Sequence, residues 1–227
     1  MHIHYIQHAP FEGLGFIEEW LDYKGHTVSC TQVWERQDFP SPDSIDGLIL
    51  MGGPMSVNDE ELLPWLKPEK KFIYDCIKSN KKILGICFGA QLIADCLGAS
   101  ISKNAFTEIG WFNVTIEPSL GRWMNALVPS KLKVFHWHGE TFDLPENAIL
   151  HASSDGCRNQ LFTYGENIAA LQFHPEMTTK DIATMFEFGE DELVEGRYIQ
   201  QINEITQIQG NYEASHAFLS GILQKLF

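Results

Sequence analysis

The chain has 227 residues, 44% of them apolar and 20% charged, with a formal net charge of −14, so it is long enough for one sizeable hydrophobic core. That acidity disfavours binding to a nucleic-acid backbone or to an anionic membrane surface. The longest nearly apolar run, residues 83–94, falls short of the ~20 residues that a bilayer-spanning helix needs.

The opening "MHIHYIQHAP" lacks the basic and apolar regions of a signal peptide. Cys30, Cys76, Cys87, Cys96 and Cys157 are odd in number, with no C-x-x-C pair, which fits reduced thiols and a cytoplasmic location. No repeat or low-complexity block divides the chain.

In chain order, "HIHYIQ" (2–7) predicts a first strand and "GHTVSC" (25–30) a second, with Phe16, Ile17, Trp20 and Leu21 at helical spacing between them. "DGLILMGGP" (46–54) is a continuous apolar run ending in glycines, the pattern of a parallel strand buried on both faces. Phe72, Ile73, Cys76 and Ile77 mark a helix, and "KKILGI" (81–86) another buried strand. Leu92, Ile93, Cys96 and Leu97 mark the next helix, which Gly98 stops. This order predicts an α/β fold, a doubly wound and mostly parallel sheet flanked by helices. "WFNVTI", "LKVFHWH", "AILHAS" and "NIAALQFH", within 108–172, predict additional antiparallel edge strands. Phe218, Ile222 and Leu226, stepping by four, predict a helical C-terminal tail. The acidic stretch "EFGEDELVEG" (187–196) reads as a solvated connector. Cys157, after "SSDG", reads as an inert thiol in a turn with room to be exposed.

Residues 85–89, G-I-C-F-G, predict a sharp strand-to-helix turn with Cys87 at its apex. A helix starting near residue 88 would lower the Cys87 thiol pKa through its dipole and leave the Phe88 amide free to donate to an oxyanion. Free cysteine is more often a small buried hydrophobe, the reading that fits Cys76 and Cys96. A nucleophilic cysteine needs a base, and the base an orienting group. "LQFHPEM" (171–177) offers both: His174 and Glu176 point to one side if the chain is extended there, as Pro175 favours. "MGGPM" (51–55) has no phosphate-binding G-K-[ST], so no cofactor is expected; its amides suit a second oxyanion donor.

Together, "GGP" (52–54), "GICFGAQ" (85–91) and "HPE" (174–176) resemble the three-part pattern of the class I glutamine amidotransferases, across residues 1–180. "FHWHGETFDLP" (135–145) resembles the family's loop beside the substrate. The resemblance implies Cys87 as nucleophile, His174 as general base and acid, Glu176 as its orienter, and the Gly53 and Phe88 amides as oxyanion hole. It implies Gln91, with backbone around Trp137, His138 and Gly139, as contacts to a small-molecule γ-glutamyl substrate. It also implies hydrolysis of that substrate through a thioester. The chain is expected to comprise a catalytic domain (1–180), similar to the amidotransferase domain of GMP synthetase, and a helical extension (181–227) packed on it. No synthetase domain is read after residue 180, so an ammonia-accepting synthase is expected to be absent or separate.

Three other readings stay open. G-x-C-x-G also occurs in α/β-hydrolases acting on esters or lactones, though their acid precedes the histidine. His136 and His138 could bind metal with His2 or His4, although the resemblance explains "HWHGE" as the substrate loop and no metal is expected. A glutaminase subunit silent without its partner, or a regulatory relative, is the third.

Overall fold

A computed structural model describes residues 1–207 and 211–227. The first half alternates as the apolar runs predict: β1 (His2–Gln7), α1 (Phe16–Tyr23), β2 (Thr27–Gln32), β3 (Gly47–Leu50), α2 (Leu66–Lys78), β4 (Lys82–Ile86) and α3 (Phe88–Cys96). Then come β5 (Ile101–Ile116), α4 (Pro118–Met124), β6 (Lys131–Phe142), β7 (Ile149–Ser154), β8 (Leu161–Tyr164) and β9 (Ile168–Leu171). The chain ends with α5 (Thr179–Gly189), β10 (Tyr198–Ile199), α6 (Ile202–Thr206) and α7 (Asn211–Leu226).

The strands form one sheet in the order β10-β5-β7-β8-β9-β4-β3-β1-β2, with β6 pairing β5. β1 to β4 and β9 run parallel, whereas β5 to β8 join antiparallel. Every residue of β3 and β9 is buried, as expected where helices cover both faces. Leu48 and Leu50 face the cluster beneath α2 and α3, while Ile49 faces the opposite cluster with Ile17, Trp20 and Leu21 of α1 and Phe218, Leu219 and Ile222 of α7. A third cluster joins Ile109, Trp111, Phe135 and Trp137 to Met177, Ile182 and Met185.

β1 diverges to β2 on one side and β3 on the other, and the carboxyl ends of β1, β3, β4 and β9 open onto one crevice, where ligands bind in open α/β sheets. The glycines around Cys87 permit close packing there. A Cβ on Gly85 would lie 2.6 Å from the Gly89 carbonyl, and one on Gly89 would drive into Leu50.

Three expectations need correction. Cys157 is 3% exposed: its amide is held by the Ser154 hydroxyl and its sulfur lies 3.2 Å from Thr141 Oγ1. The acidic stretch is not merely a connector, because α5 and the 3-10 turn Glu190–Glu192 bring Phe188, Gly189 and Glu192 to the wall of a cavity that Cys87 also lines. Residues 175–176 form a turn rather than a continuing strand, since Pro175 fixes φ at a turn value.

Candidate active site

β4 ends at Ile86, and the chain turns at Cys87 with φ 49° and ψ −107°, a conformation that non-glycine residues rarely adopt. The turn is held from below: the Cys87 amide donates to the Leu171 carbonyl at 2.7 Å, and the Cys87 carbonyl accepts from Ala90 and Gln91. The sulfur is therefore raised above the sheet at the N-terminus of α3, 3.7 Å from the Trp137 carbonyl and 3.6 Å from Gln172 Nε2. The Phe88 amide opens the helix and has no backbone partner among the described residues. The Gly53 amide likewise has none.

His174 is fixed by its own amide, which donates to the Phe135 carbonyl at 2.8 Å. Its ring is 2% exposed, with Nδ1 2.7 Å from Glu176 Oε1. The pairing predicted for an extended chain is thus made across the Pro175 turn instead. Burial lowers the His174 pKa, but the Glu176 carboxylate and then the Cys87 sulfur outweigh it and hold the ring well above the usual imidazole range. Nε2 has no geometrically formed hydrogen bond among the described residues, yet the Cys87 sulfur is close enough to raise the ring's pKa.

Cys87, Gly53, Gln91, Trp137, His138 and Gly139 line one cavity of about 330 Å³. Phe88, His174 and Glu176 form the layer behind it; all three are buried. Gln91 is not free, since its Nε2 donates to Gln172 Oε1 at 3.2 Å. His138 Nδ1 lies 3.0 Å from the Glu140 carbonyl, and its Nε2 approaches Glu108 Oε2 to 3.1 Å without forming a hydrogen bond.

His136, His138 and Glu108 offer ligand atoms within 4.8 Å of one another. His2 and His4 lie elsewhere, bonded to Ser29, so the ligand set anticipated with them does not assemble. Ser154 and Gln160 each donate to Glu108 at 2.7 Å, so this carboxylate is hydrogen-bonded within the protein behind residues 135–145. Burial pushes His136 down to about 3, and it is neutral.

Sequence reasoning missed three supports. His8 stands at the end of β1, with Nε2 2.8 Å from Glu69 Oε1 and Nδ1 2.9 Å from the Met51 carbonyl, and its Cβ lies under Gly53. It therefore fixes the Gly-Gly-Pro turn. Glu12 lines the cavity and fills the space above Gly52, where a side chain would strike its carboxylate and lie 3.1 Å from His174 Cε1. Gly15, at φ 52°, lets the Phe16 amide donate to the Glu176 carbonyl at 2.9 Å. Histidine and glutamate after the first strand were the available signal; their partners lie too far along the chain to be inferred.

Residues 18–190 match the family model for class I glutamine amidotransferases. The chain is 29% identical over 232 residues to the glutamine amidotransferase-like protein YfeJ of Salmonella typhimurium, covering 100% of this chain and 97% of that one. It is 39% identical to one of the subunits of the glutamine-hydrolysing GMP synthase of Thermoplasma acidophilum, covering 70% and 77%. Its fold superposes on a glutamine amidotransferase from Thermotoga maritima with a TM-score of 0.86 at 29% identity, covering 99% and 97%.

Proposed function

The chain belongs to the class I glutamine amidotransferase family, and from that premise we propose that it hydrolyses a γ-glutamyl amide through a Cys87–His174–Glu176 triad. The observation that carries this reading is the buried His174 ring, bonded to Glu176 on one nitrogen and open toward the Cys87 sulfur on the other. In the first step Cys87, its proton already resting on His174, bonds through sulfur to the side-chain carbonyl carbon. The free amides of Phe88 and Gly53 would receive the oxyanion; one such donor is worth ~3 kcal/mol in the transition state. The C–N bond then breaks, His174 returns the proton to the leaving nitrogen, and a γ-glutamyl thioester remains. Water gives its proton to His174 and its oxygen to the carbonyl, and the C–S bond breaks to release glutamate. Glu176 keeps Nδ1 protonated throughout, so that Nε2 is the atom exchanging protons.

The ester-hydrolase alternative is disfavoured by the acid's position two residues after the histidine. Cys87→Ala is expected to lower kcat at least ~10⁴-fold without loss of the folded circular-dichroism spectrum, and Glu176→Gln roughly 10²-fold. Continued release of amine by Cys87→Ala would reject the scheme. A relative that is one part of a synthase supports a second reading, in which the ammonia passes to a separate synthase. Glutaminase activity that rises only when a partner is added would favour it.

A further inference from the structure

The side of the cavity that receives the leaving group is marked by His174, because that ring must reach the departing nitrogen. Its Nε2 is buried and unpartnered. The cavity residue beside it is Glu12, and Glu192 lies close enough to add to the rise in the Glu12 pKa. Phe11 and Phe188 stack at 4.6 Å, and both line the same cavity. Phe188 remains 60% exposed, so its ring is open to contact from the cavity side.

The charges divide in the same way. Four carboxylates line the cavity, those of Glu12, Asp59, Glu140 and Glu192, and no lysine or arginine does among the described residues. Asp59 accepts from the Ser56 amide and Glu140 from the Ser56 hydroxyl. Glu12 and Glu192 have no hydrogen-bond or ion-pair partner among the described residues. The two unpaired carboxylates thus stand on the leaving-group side, next to two aromatic faces. Ammonia departing from glutamine needs neither a second charge nor an aromatic wall. A cation held by carboxylates and ring faces needs both.

We propose that the substrate is a γ-glutamyl amide whose leaving amine carries a second positive charge, an alkyl diamine, with Glu12 and Glu192 holding the distal ammonium against Phe11 and Phe188. This deepens the hydrolase reading and rests on it. Hydrolysis places the water oxygen on the γ-carboxylate and a proton on the released nitrogen, giving glutamate and the free diamine. Burial pushes the Glu12 carboxyl up to about 7, with Glu176 and Glu192 adding to the rise and His174 and His8 opposing it.

The test compares kcat/KM of the purified protein for four substrates: glutamine, γ-glutamyl-1,4-diaminobutane, its uncharged analogue γ-glutamyl-butylamine, and the anionic γ-glutamyl-4-aminobutyrate. The diamine conjugate is expected to exceed the butyl amide by about tenfold, equivalent to ~1.4 kcal/mol, and the anionic conjugate by more. Glu192→Gln should collapse the ratio of diamine to butyl amide toward one, and Glu192→Asp should restore part of it. Equal or faster hydrolysis of the neutral or anionic amide, or of glutamine, overturns the inference and leaves the hydrolase reading intact. So does an unchanged ratio in Glu192→Gln. Failure to cleave all four overturns the hydrolase reading, and the inference falls with it.

Discussion

Cys87 carries backbone strain that serves its position. At φ 49° and ψ −107° a non-glycine residue pays about 1–3 kcal/mol, partly offset in a glycine variant by the ~0.5–1 kcal/mol of extra unfolded-state freedom. Urea titration should therefore find Cys87→Gly more stable than Cys87→Ala by about 1 kcal/mol; the reverse order would mean the turn is relaxed. His174 sets the pH dependence. A ring held protonated above its unfolded value adds stability that is complete below that value and is lost as pH rises through the folded one. In the proposed mechanism, loss of that proton also removes the acid that protonates the leaving amine. Glu176→Gln removes the strongest upward influence, so the alkaline limb of the kcat/KM profile should move to lower pH. An unmoved limb would assign it to another group. At this scale the proposed nucleophile and base were legible as candidates, because Gly85, Cys87 and Gly89 and the His174–Glu176 pair are local patterns. Glu12 was not, since only the fold lays it against Gly52 and His174.

At the level of elements, the site depends on two joints between the strand ends. The first is His8–Glu69, fully buried at 2.8 Å, which ties α2 to the Gly-Gly-Pro turn. Burial alone would lower the His8 pKa, but the Glu69 charge and hydrogen bond outweigh it and the pKa is raised. Glu69→Ala leaves that imidazole unpaired in the core and should destabilise the protein by about 3–5 kcal/mol. The measured loss should shrink as pH rises and the ring deprotonates; a loss independent of pH would point to packing alone. The second joint is the start of α1, where a Cβ on Gly15 would lie 2.5 Å from the Glu176 carbonyl. Gly15→Ala should displace the Glu176 turn and lower kcat more than it raises KM, whereas an unchanged kcat would show that the turn tolerates the shift. Neither joint is visible in sequence, because each pairs residues from separate elements. By contrast, β1 to β4 were legible, β3 and β4 as buried apolar runs, while the four-residue β8 is too short for its period to stand out.

For the whole molecule, residues 1–180 and the C-terminal helix share a core. Phe218, Leu219, Ile222, Leu223 and Leu226 of α7 pack in the cluster that also holds Ile3, Leu84, Cys87 and Phe173. Burying these five side chains contributes roughly 10 kcal/mol, comparable to the entire 5–15 kcal/mol of a typical domain. We therefore propose that residues 1–180 and 181–227 are one folding unit, and a fragment ending at residue 180 should show no cooperative thermal transition. A sharp transition for that fragment would make the tail dispensable. The stepping of Phe218, Ile222 and Leu226 announced the helix, but not which surface it covers, since amphipathicity gives a face and not its partner.

The central claim is that a γ-glutamyl group is carried on one sulfur. Mixing the protein with a chromogenic γ-glutamyl anilide, quenching in acid within the first turnovers and analysing the peptides by mass spectrometry tests it directly. A γ-glutamyl thioester on the peptide containing Cys87, absent from the Cys87→Ala protein, is the predicted result. Steady turnover with no adduct on Cys87, or an adduct on another residue, would contradict it.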